Sequence, residues 1–329
     1  MNNEDILRQR MHGLYLTRSC GDLNALAHEL MGLHSWFSRN VVFSALIRGA
    51  NTRGWAKALT KTWLYRGTLH GVNDEDLPEL LALHASQEPL SELEQEVLRQ
   101  MEDGVTSRAE FRRIFRDQLS PETLDWVFGP WGGVFVPLAR RGRVAFRDMN
   151  SHDFDLIDAQ PVRTCQEVFP DLVQRYFEVY GPATYDDAAW FFGFWKTDAK
   201  RLRLCAGLEA LPSFELDGKR YYGWADNAAA EIPELCLLSG FDPLLASYTP
   251  PGRRVSLPDE VKSRVVLKSG IILPVILVHG QAAGVWNLKN GEPTTEFFSA
   301  QPERLRRMAL ERVEEIKFRQ MMENGGFDL

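Results

Sequence analysis

The sequence predicts an α+β fold: tandem winged-helix units followed by a C-terminal antiparallel β-meander and a closing helix. Three observations predict it. A helix–helix–helix–hairpin pattern can be traced three times along the chain. The pairs Asp217-Gly218, His279-Gly280 and Asn290-Gly291, strong hairpin signals, each separate two strand-like runs. Finally, Pro302–Met321 places Leu305, Met308, Ala309, Val313 and Ile316 on one side of a helix. In a winged helix the third helix enters the major groove and the hairpin wing touches the backbone or minor groove.

The first copy, Glu4–Val72, carries helices near Asp5–Leu16, Asp22–Leu30, Trp36–Arg48 and Gly54–Lys61, then a strand at Trp63–Leu69. In the second, Leu90–Asp148, Ser91 and Glu94 form a capping box before the first helix, and Ser107–Phe115 supplies the next. Ser120-Pro121 opens a third, with Pro in its first turn. Val134–Arg147 then reads as a wing turning at Arg141-Gly142.

The third copy, Pro161–Trp224, is the clearest. A helix over Cys165–Val179 stops at the breaker pair Gly181-Pro182. Thr184 caps the next helix, with Asp187 three residues on, and that helix stops near Gly193. Thr197 is expected to cap the last, Asp198–Leu208, before the hairpin around Asp217-Gly218. After Phe241 come strands over Ile272–Val278, Gln281–Lys289 and Glu292–Phe298. The expected units are therefore 1–85, 86–158, 159–235 and 236–329.

Size and composition agree. With 329 residues, 44% hydrophobic and 25% charged, the chain is long enough for two or three globular domains. No apolar run approaches a membrane span, and MNNEDILRQR lacks the apolar block of a secretory signal. Cys20, Cys165, Cys205 and Cys236 form no CxxC pair, so neither a metal site nor a disulfide framework is expected. His12, His28, His84, His152 and His279 show no ligand spacing, and Asp186-Asp187 suits a helix N-terminus better than a metal. A cytoplasmic monomer without cofactor or metal is the expectation.

A net charge of −7 argues against nucleic acid only as a whole-chain sum, because binding depends on where cations cluster. From Leu30 to Asn73 there is no Asp or Glu but six cations: Arg39, Arg48, Arg53, Lys57, Lys61 and Arg66. A second run is Arg140, Arg141, Arg143 and Arg147; a third is Lys196, Lys200, Arg201 and Arg203. Any one cluster alone reads as a solvated face. Three, each beside the same structural pattern, point to double-stranded DNA.

Four blocks carry a family resemblance: KTWLYRGTLHGVNDEDL at Lys61–Leu77, RYFEVYGPATYDDAAWFFGF at Arg175–Phe194, LLSGFDPLLASY at Leu237–Tyr248, and GIILPVILVHGQAAGVW at Gly270–Trp286. In order and spacing they resemble the AlkZ-type winged-helix DNA glycosylases, a family that includes the YcaQ/AlkX-like proteins. The resemblance implies tandem winged helices bent into a concave surface that grips duplex DNA. In catalytic members it also implies removal of bulky N-alkylated purines. The family's catalytic motif is a Gln-x-Gln or Gln-x-Asp following Gly-Leu. Here Gly32-Leu33 is followed by His34-Ser35-Trp36, so His34 takes the first position and Trp36 the second. In the family the RGTLH block lies beside the catalytic region, which makes Arg66, Thr68 and His70 candidates for the pocket or for phosphate.

The chemistry fits the first substitution better than the second. An N7- or N3-alkylated purine is already cationic and leaves without much acid help. What remains is to stabilise a cationic sugar and position a water. A neutral His can hold that water and take its proton. Indole has one donor and no acceptor, so Trp36 can stack on a sugar or wedge into the duplex but cannot activate water. The plain alternative is that His34 and Trp36 open a helix and simply pack, and that Arg66 and His70 are satisfied at a strand edge. Phe241-Asp242-Pro243 reads most simply as a turn that packs the C-terminal sheet. Two functions follow. One is a monofunctional glycosylase acting on bulky alkylated purines; the other is a non-catalytic winged-helix DNA-binding protein, a damage sensor or regulator. A third reading, a scaffold binding protein or small molecule, has only the net charge in its favour.

Overall fold

The computed structural model describes residues 2–86, 88–223 and 231–324. It is α+β, with three antiparallel sheets among helices. The largest sheet has five strands in the order 33–34, 69–72, 60–63, 144–146 and 154–156. Strands from 1–85 and 86–158 thus share one sheet, joined where Lys61 pairs with Phe146. A three-stranded sheet sets Ala183–Thr184 beside the hairpin of Ser213–Leu216 and Lys219–Tyr222. That hairpin turns at Asp217 and Gly218, both at positive φ, as an Asp-Gly pair allows. Trp224, where the third copy was expected to end, lies outside the described residues.

The C-terminal meander forms as expected, from Val275–Val278, Gln281–Lys289 and Glu292–Phe297, and gains a fourth strand, Leu235–Leu238. The helix Glu303–Asn324 closes it by burying Leu305, Ala309, Val313 and Ile316. Its far end returns to the start of the chain. Glu323 accepts from the Thr52 backbone and hydroxyl, and Arg319 donates to the Leu46 and Ala50 carbonyls.

Several caps match the sequence. Ser91–Glu94 and Thr184–Asp187 are capping boxes, and Ser120 caps a helix with Pro121 at its start. Five expectations do not hold, the first being the helix at Gly54–Lys61, which is only Trp55–Ala58, with Lys61 already in the strand Thr60–Trp63. Val134–Arg147 is not a wing: Phe135–Arg140 is helical, burying Phe135, Leu138 and Ala139 at helical spacing, and Val144–Phe146 pairs onward with Phe154–Leu156. The β-branched valines suggest a strand; packing of Phe135 on Phe154, centroids 4.0 Å apart, decides otherwise. The strand expected at Trp63–Leu69 is split into Thr60–Trp63 and Leu69–Val72, because Arg66 and Gly67 at φ +53° and +68° reverse the chain. The expected helix Trp36–Arg48 begins only at Ser38, and Leu33–His34 is a strand. Lastly, Thr197 does not cap; the helix is Lys196–Arg203, entered through Trp195.

Two hydrophobic cores result. The larger joins the N-terminal helices, Cys165–Tyr180, Tyr185–Phe192 and the C-terminal sheet. The smaller surrounds Phe111, Phe128, Phe135, Phe154 and Trp63. The candidate site lies along the five-stranded sheet that both cores flank.

Candidate active site and nucleic-acid interface

The helix Leu23–Glu29 ends in a reversal through Met31 and Gly32, at φ +51° and +100°. Gly32 fits because the left-handed backbone, rather than lack of space, excludes a side chain there. The turn delivers Leu33–His34 as an edge strand paired to Gly71 and His70. His34 is half-buried. Its ring stacks on Phe241 with centroids 4.0 Å apart and planes at 5°, and meets His70 edge-on at 5.4 Å. Phe241 holds a left-handed conformation, φ +54°, between Gly240 and Asp242.

His34 is neutral. Burial, then the neighbouring His70 and Arg66, lower its pKa well below the usual histidine range. The backbone N–H of Trp36 donates toward His34 Nδ1 at 3.5 Å, a long contact that favours the tautomer protonated at Nε2. Nδ1 is then an acceptor whose lone pair is only weakly engaged. His70 is buried and neutral too: desolvation, then Arg66, bring its pKa to about 3, against a bond from Nδ1 to the Thr68 carbonyl. Among the described residues no carboxylate bonds to either ring.

At the residue after Phe241, Arg48 forks onto Asp242, with bonds of 3.0 and 2.9 Å and both side chains fully buried. Arg48 also donates to the Leu14 carbonyl and to Ser44, and Asp242 accepts from Ser239 and the Leu244 N–H. This pair fixes the turn that carries Phe241, in a segment far along the chain from His34. Asn40 packs its amide against Gly240 in the same neighbourhood, with Nδ2 buried and unpartnered.

The basic candidates divide sharply. Arg48, Lys61 and His70 are buried, which removes them from any exposed DNA face. Lys61 reaches the Met149 carbonyl and lies over the Phe146 ring, and desolvation lowers its pKa to about 8. Arg66 donates to the Ala246 carbonyl beside the Trp190 ring, with burial lowering its pKa to about 10. Thr68 bonds the Tyr65 carbonyl, and Arg141 ties down the Ser86 and Glu88 carbonyls. Arg140 and Arg143 are half-buried. Arg147 pairs with Asp153 and Asp155.

By contrast Arg53, Lys57, Lys196, Lys200, Arg201 and Arg203 lie toward the solvent, and Arg39 is half-exposed. Among the described residues Arg39, Arg53, Lys57, Lys196 and Lys200 form no ion pair. Arg201 has only a loose contact with Asp198 at 3.7 Å, and Arg203 lies over the Tyr185 ring.

The model of the AlkZ-like family, described as DNA glycosylase AlkZ-like, matches residues 55–315. The chain belongs to this family. An interstrand DNA cross-link repair glycosylase of Streptomyces sahachiroi is 27% identical over 269 residues, covering 71% of this chain and 72% of that protein. The solved structure of S. sahachiroi DNA glycosylase AlkZ shares the fold, with a TM-score of 0.76, 22% identity and 96% coverage of both chains. The AlkZ-like match begins after Trp36, so the assignment of His34 rests on its place after Gly32-Leu33 and on the geometry of its ring. Among the described residues no cluster of His, Cys, Asp or Glu is arranged to hold a metal, and no helix is long and apolar enough to cross a membrane.

Two members of the site escape the sequence reading. Phe241 reads there as part of a turn, and its Gly-Phe-Asp-Pro context is the available signal. Trp131, exposed and stacked on Trp36 with centroids 5.5 Å apart, carries the signal of a Trp between Gly-Pro and Gly-Gly.

Proposed function

We propose that this AlkZ-like chain is a monofunctional DNA glycosylase that removes bulky N-alkylated purines from double-stranded DNA, with His34 as the water-positioning base. The observation that carries this is His34 itself: a neutral imidazole, stacked on Phe241, with Nδ1 weakly engaged at the motif position. In the reaction the C1′–N9 bond of a cationic N7-alkylpurine breaks, its electron pair neutralises the departing base, and water attacks C1′. His34 Nδ1 holds that water and takes its proton. Trp36 packs against the sugar or an adjacent ring rather than acting in proton transfer. Because the substrate brings its own positive charge, the proposed reaction calls for neither metal nor cofactor.

DNA is held, in this proposal, by regions 1–85, 86–158 and 159–235, of which 159–235 keeps the helix–helix–helix–hairpin order of a winged helix, with 236–329 bracing the site through Phe241. The cations Lys196, Lys200, Arg201 and Arg203 lie on a helix that precedes the Ser213–Tyr222 hairpin, as cations on a third helix before its wing would. Arg39, Arg53 and Lys57 are further cations open to DNA, and half-buried Arg140 and Arg143 precede the strand Val144–Phe146 of the five-stranded sheet. A monomer working in the cytoplasm completes the proposal.

The test is duplex DNA carrying N7-alkylguanine, one small adduct and one bulky, assayed for abasic sites with wild type and His34→Ala. Abasic sites that disappear with His34→Ala support the proposal. Intact, salt-sensitive binding without base release by the wild type sinks the glycosylase and leaves the DNA-binding sensor.

A further inference from the structure

Two tryptophans in the stretch Trp126–Gly133 are 77% exposed, an unusual use of so large an apolar ring. They differ in what holds them. Trp126 lies on the helix Pro121–Val127. Trp131 stands on a turn that only glycine can make. Gly132 and Gly133 have φ +112° and +48°. A Cβ on Gly132 would meet the Val136 side chain at 2.3 Å and the buried Trp63 ring at 3.2 Å; one on Gly133 would lie 1.8 Å from the Val127 carbonyl oxygen. The turn is also closed by hydrogen bonds from Gly132 N–H to the Gly129 carbonyl and from Val134 N–H to the Val127 carbonyl. A closely packed turn that only glycine fits therefore presents an indole to solvent.

The indole is not isolated. It stacks at 21° on Trp36, two residues from His34. Trp36 is half-buried, so the two rings form a short stack with its outer face, on Trp131, open. Trp36 belongs to the acid-free stretch Leu30–Asn73, with Arg39 close by in sequence and without an ion pair among the described residues. The segment of Trp131 carries Glu122 and Asp125, the latter paired with Arg112, so what it offers a ligand is the open π-face, which suits a planar ring such as a nucleobase.

We propose that Trp131, backed by Trp36, is a stacking platform for a nucleobase of the bound duplex that has left its own stack at the site. This rests on the DNA-binding reading and adds to it a specificity residue outside the motif. The exposed ring accepts any base through its face, so it selects for unstacked or poorly paired positions rather than for sequence. A fused-ring adduct attached to a purine offers the same planar surface, and the experiment separates the two sources.

The probe is a duplex with 2-aminopurine opposite a tetrahydrofuran abasic analogue, compared with the same duplex fully paired, and read by end-label anisotropy and by 2-aminopurine emission. Wild type is expected to prefer the abasic-containing duplex and to quench its emission. Trp131→Ala should lose the quenching and weaken that preference by roughly fivefold, the low end for one base–aromatic stack. Trp131→Phe should restore most of both, and Trp126→Ala should behave as wild type. Binding of the paired duplex should be alike in all four proteins, which also shows that they are folded. Quenching and preference that survive in Trp131→Ala overturn the platform while leaving DNA binding intact. Absence of salt-sensitive binding by wild type overturns both. A wild-type dimer that Trp131→Ala dissolves assigns the ring to a protein contact and overturns the platform. If only a duplex bearing a polycyclic N7-guanine adduct responds to Trp131→Ala, the ring reads the adduct and the nucleobase assignment falls.

Discussion

The stretch Leu30–Asn73 and the helix Lys196–Arg203 look alike as sequence, since both are rich in cations beside a helix–hairpin pattern, yet the structure divides the charges of the first and leaves those of the second outside. In the first, Arg48, Lys61 and Arg66 turn inward and bond to Asp242 or to the carbonyls of Met149 and Ala246, while Arg53 and Lys57 stay toward the solvent. In the second, Lys196, Lys200, Arg201 and Arg203 all remain toward the solvent. An arginine is five fixed donors as well as a charge, and a buried carboxylate or carbonyl satisfies those donors as well as a phosphate does. The difference teaches that an acid-free stretch marks a place where cations find partners, without saying whether those partners are inside or outside.

The sharpest way to break this comparison is Arg48→Ala. It leaves Asp242 buried and unpaired, so the chain should lose about 3–5 kcal/mol of stability, read as a fall in the urea midpoint. Equal stability of the variant would return Arg48 to the candidates for DNA. Lys200→Ala and Arg201→Ala should each stay within about 0.5 kcal/mol in the same assay.

Next in size is His34→Ala, which should slow base release by at least roughly a hundredfold, the lower range for removing a general base. Affinity for undamaged duplex should change less than about twofold, because the exposed cations are untouched. A variant as active as wild type would assign His34 to packing against Phe241.

The double replacement Lys200→Ala with Arg201→Ala should weaken binding to all sequences alike. It should also reduce the slope of log affinity against log salt by about two, one for each phosphate that is no longer neutralised. An unchanged slope would move the DNA away from this helix and leave its cations as a solvated face.

The smallest effect is on acid stability. His70 is held neutral with a pKa of about 3 and His84 of about 4, both by burial. The unfolded chain binds these protons below about pH 6.5 and the folded chain does not, so their contribution is complete above that pH. It declines as pH falls toward 4 and 3, at up to about 1.4 kcal/mol per pH unit for each ring. Urea midpoints at pH 7.5 and 5.5 should therefore differ less in His70→Gln than in wild type. Equal differences would show that His70 is solvated.

Much of the fold was legible because its signals are local. Capping boxes at Ser91 and Thr184, the Asp217-Gly218 turn and the two C-terminal turn pairs each need only a few neighbouring residues. Where the reading of elements failed, a distant partner had decided. Phe135 follows Phe154 into a helix, and the reversal at Arg66-Gly67 is held by Ala246. The candidate site shows the same division. His34 stood out by its place after Gly32-Leu33. Phe241 and Trp131, its neighbours and those of Trp36, come from segments far along the chain, where no spacing rule could connect them.

The sequence by itself determined the α+β class, the family, and the C-terminal meander with its closing helix, and it singled out His34 as a candidate by its place after Gly32-Leu33, because periodicity, turn chemistry and motif order are carried by adjacent residues. Only the tertiary structure decided which cations are free, that His34 is a neutral ring stacked on Phe241, and that Trp131 faces solvent. The reason is physical: burial, desolvation and ion pairing depend on which groups are brought together, and here Arg48 meets Asp242 across 194 residues of chain.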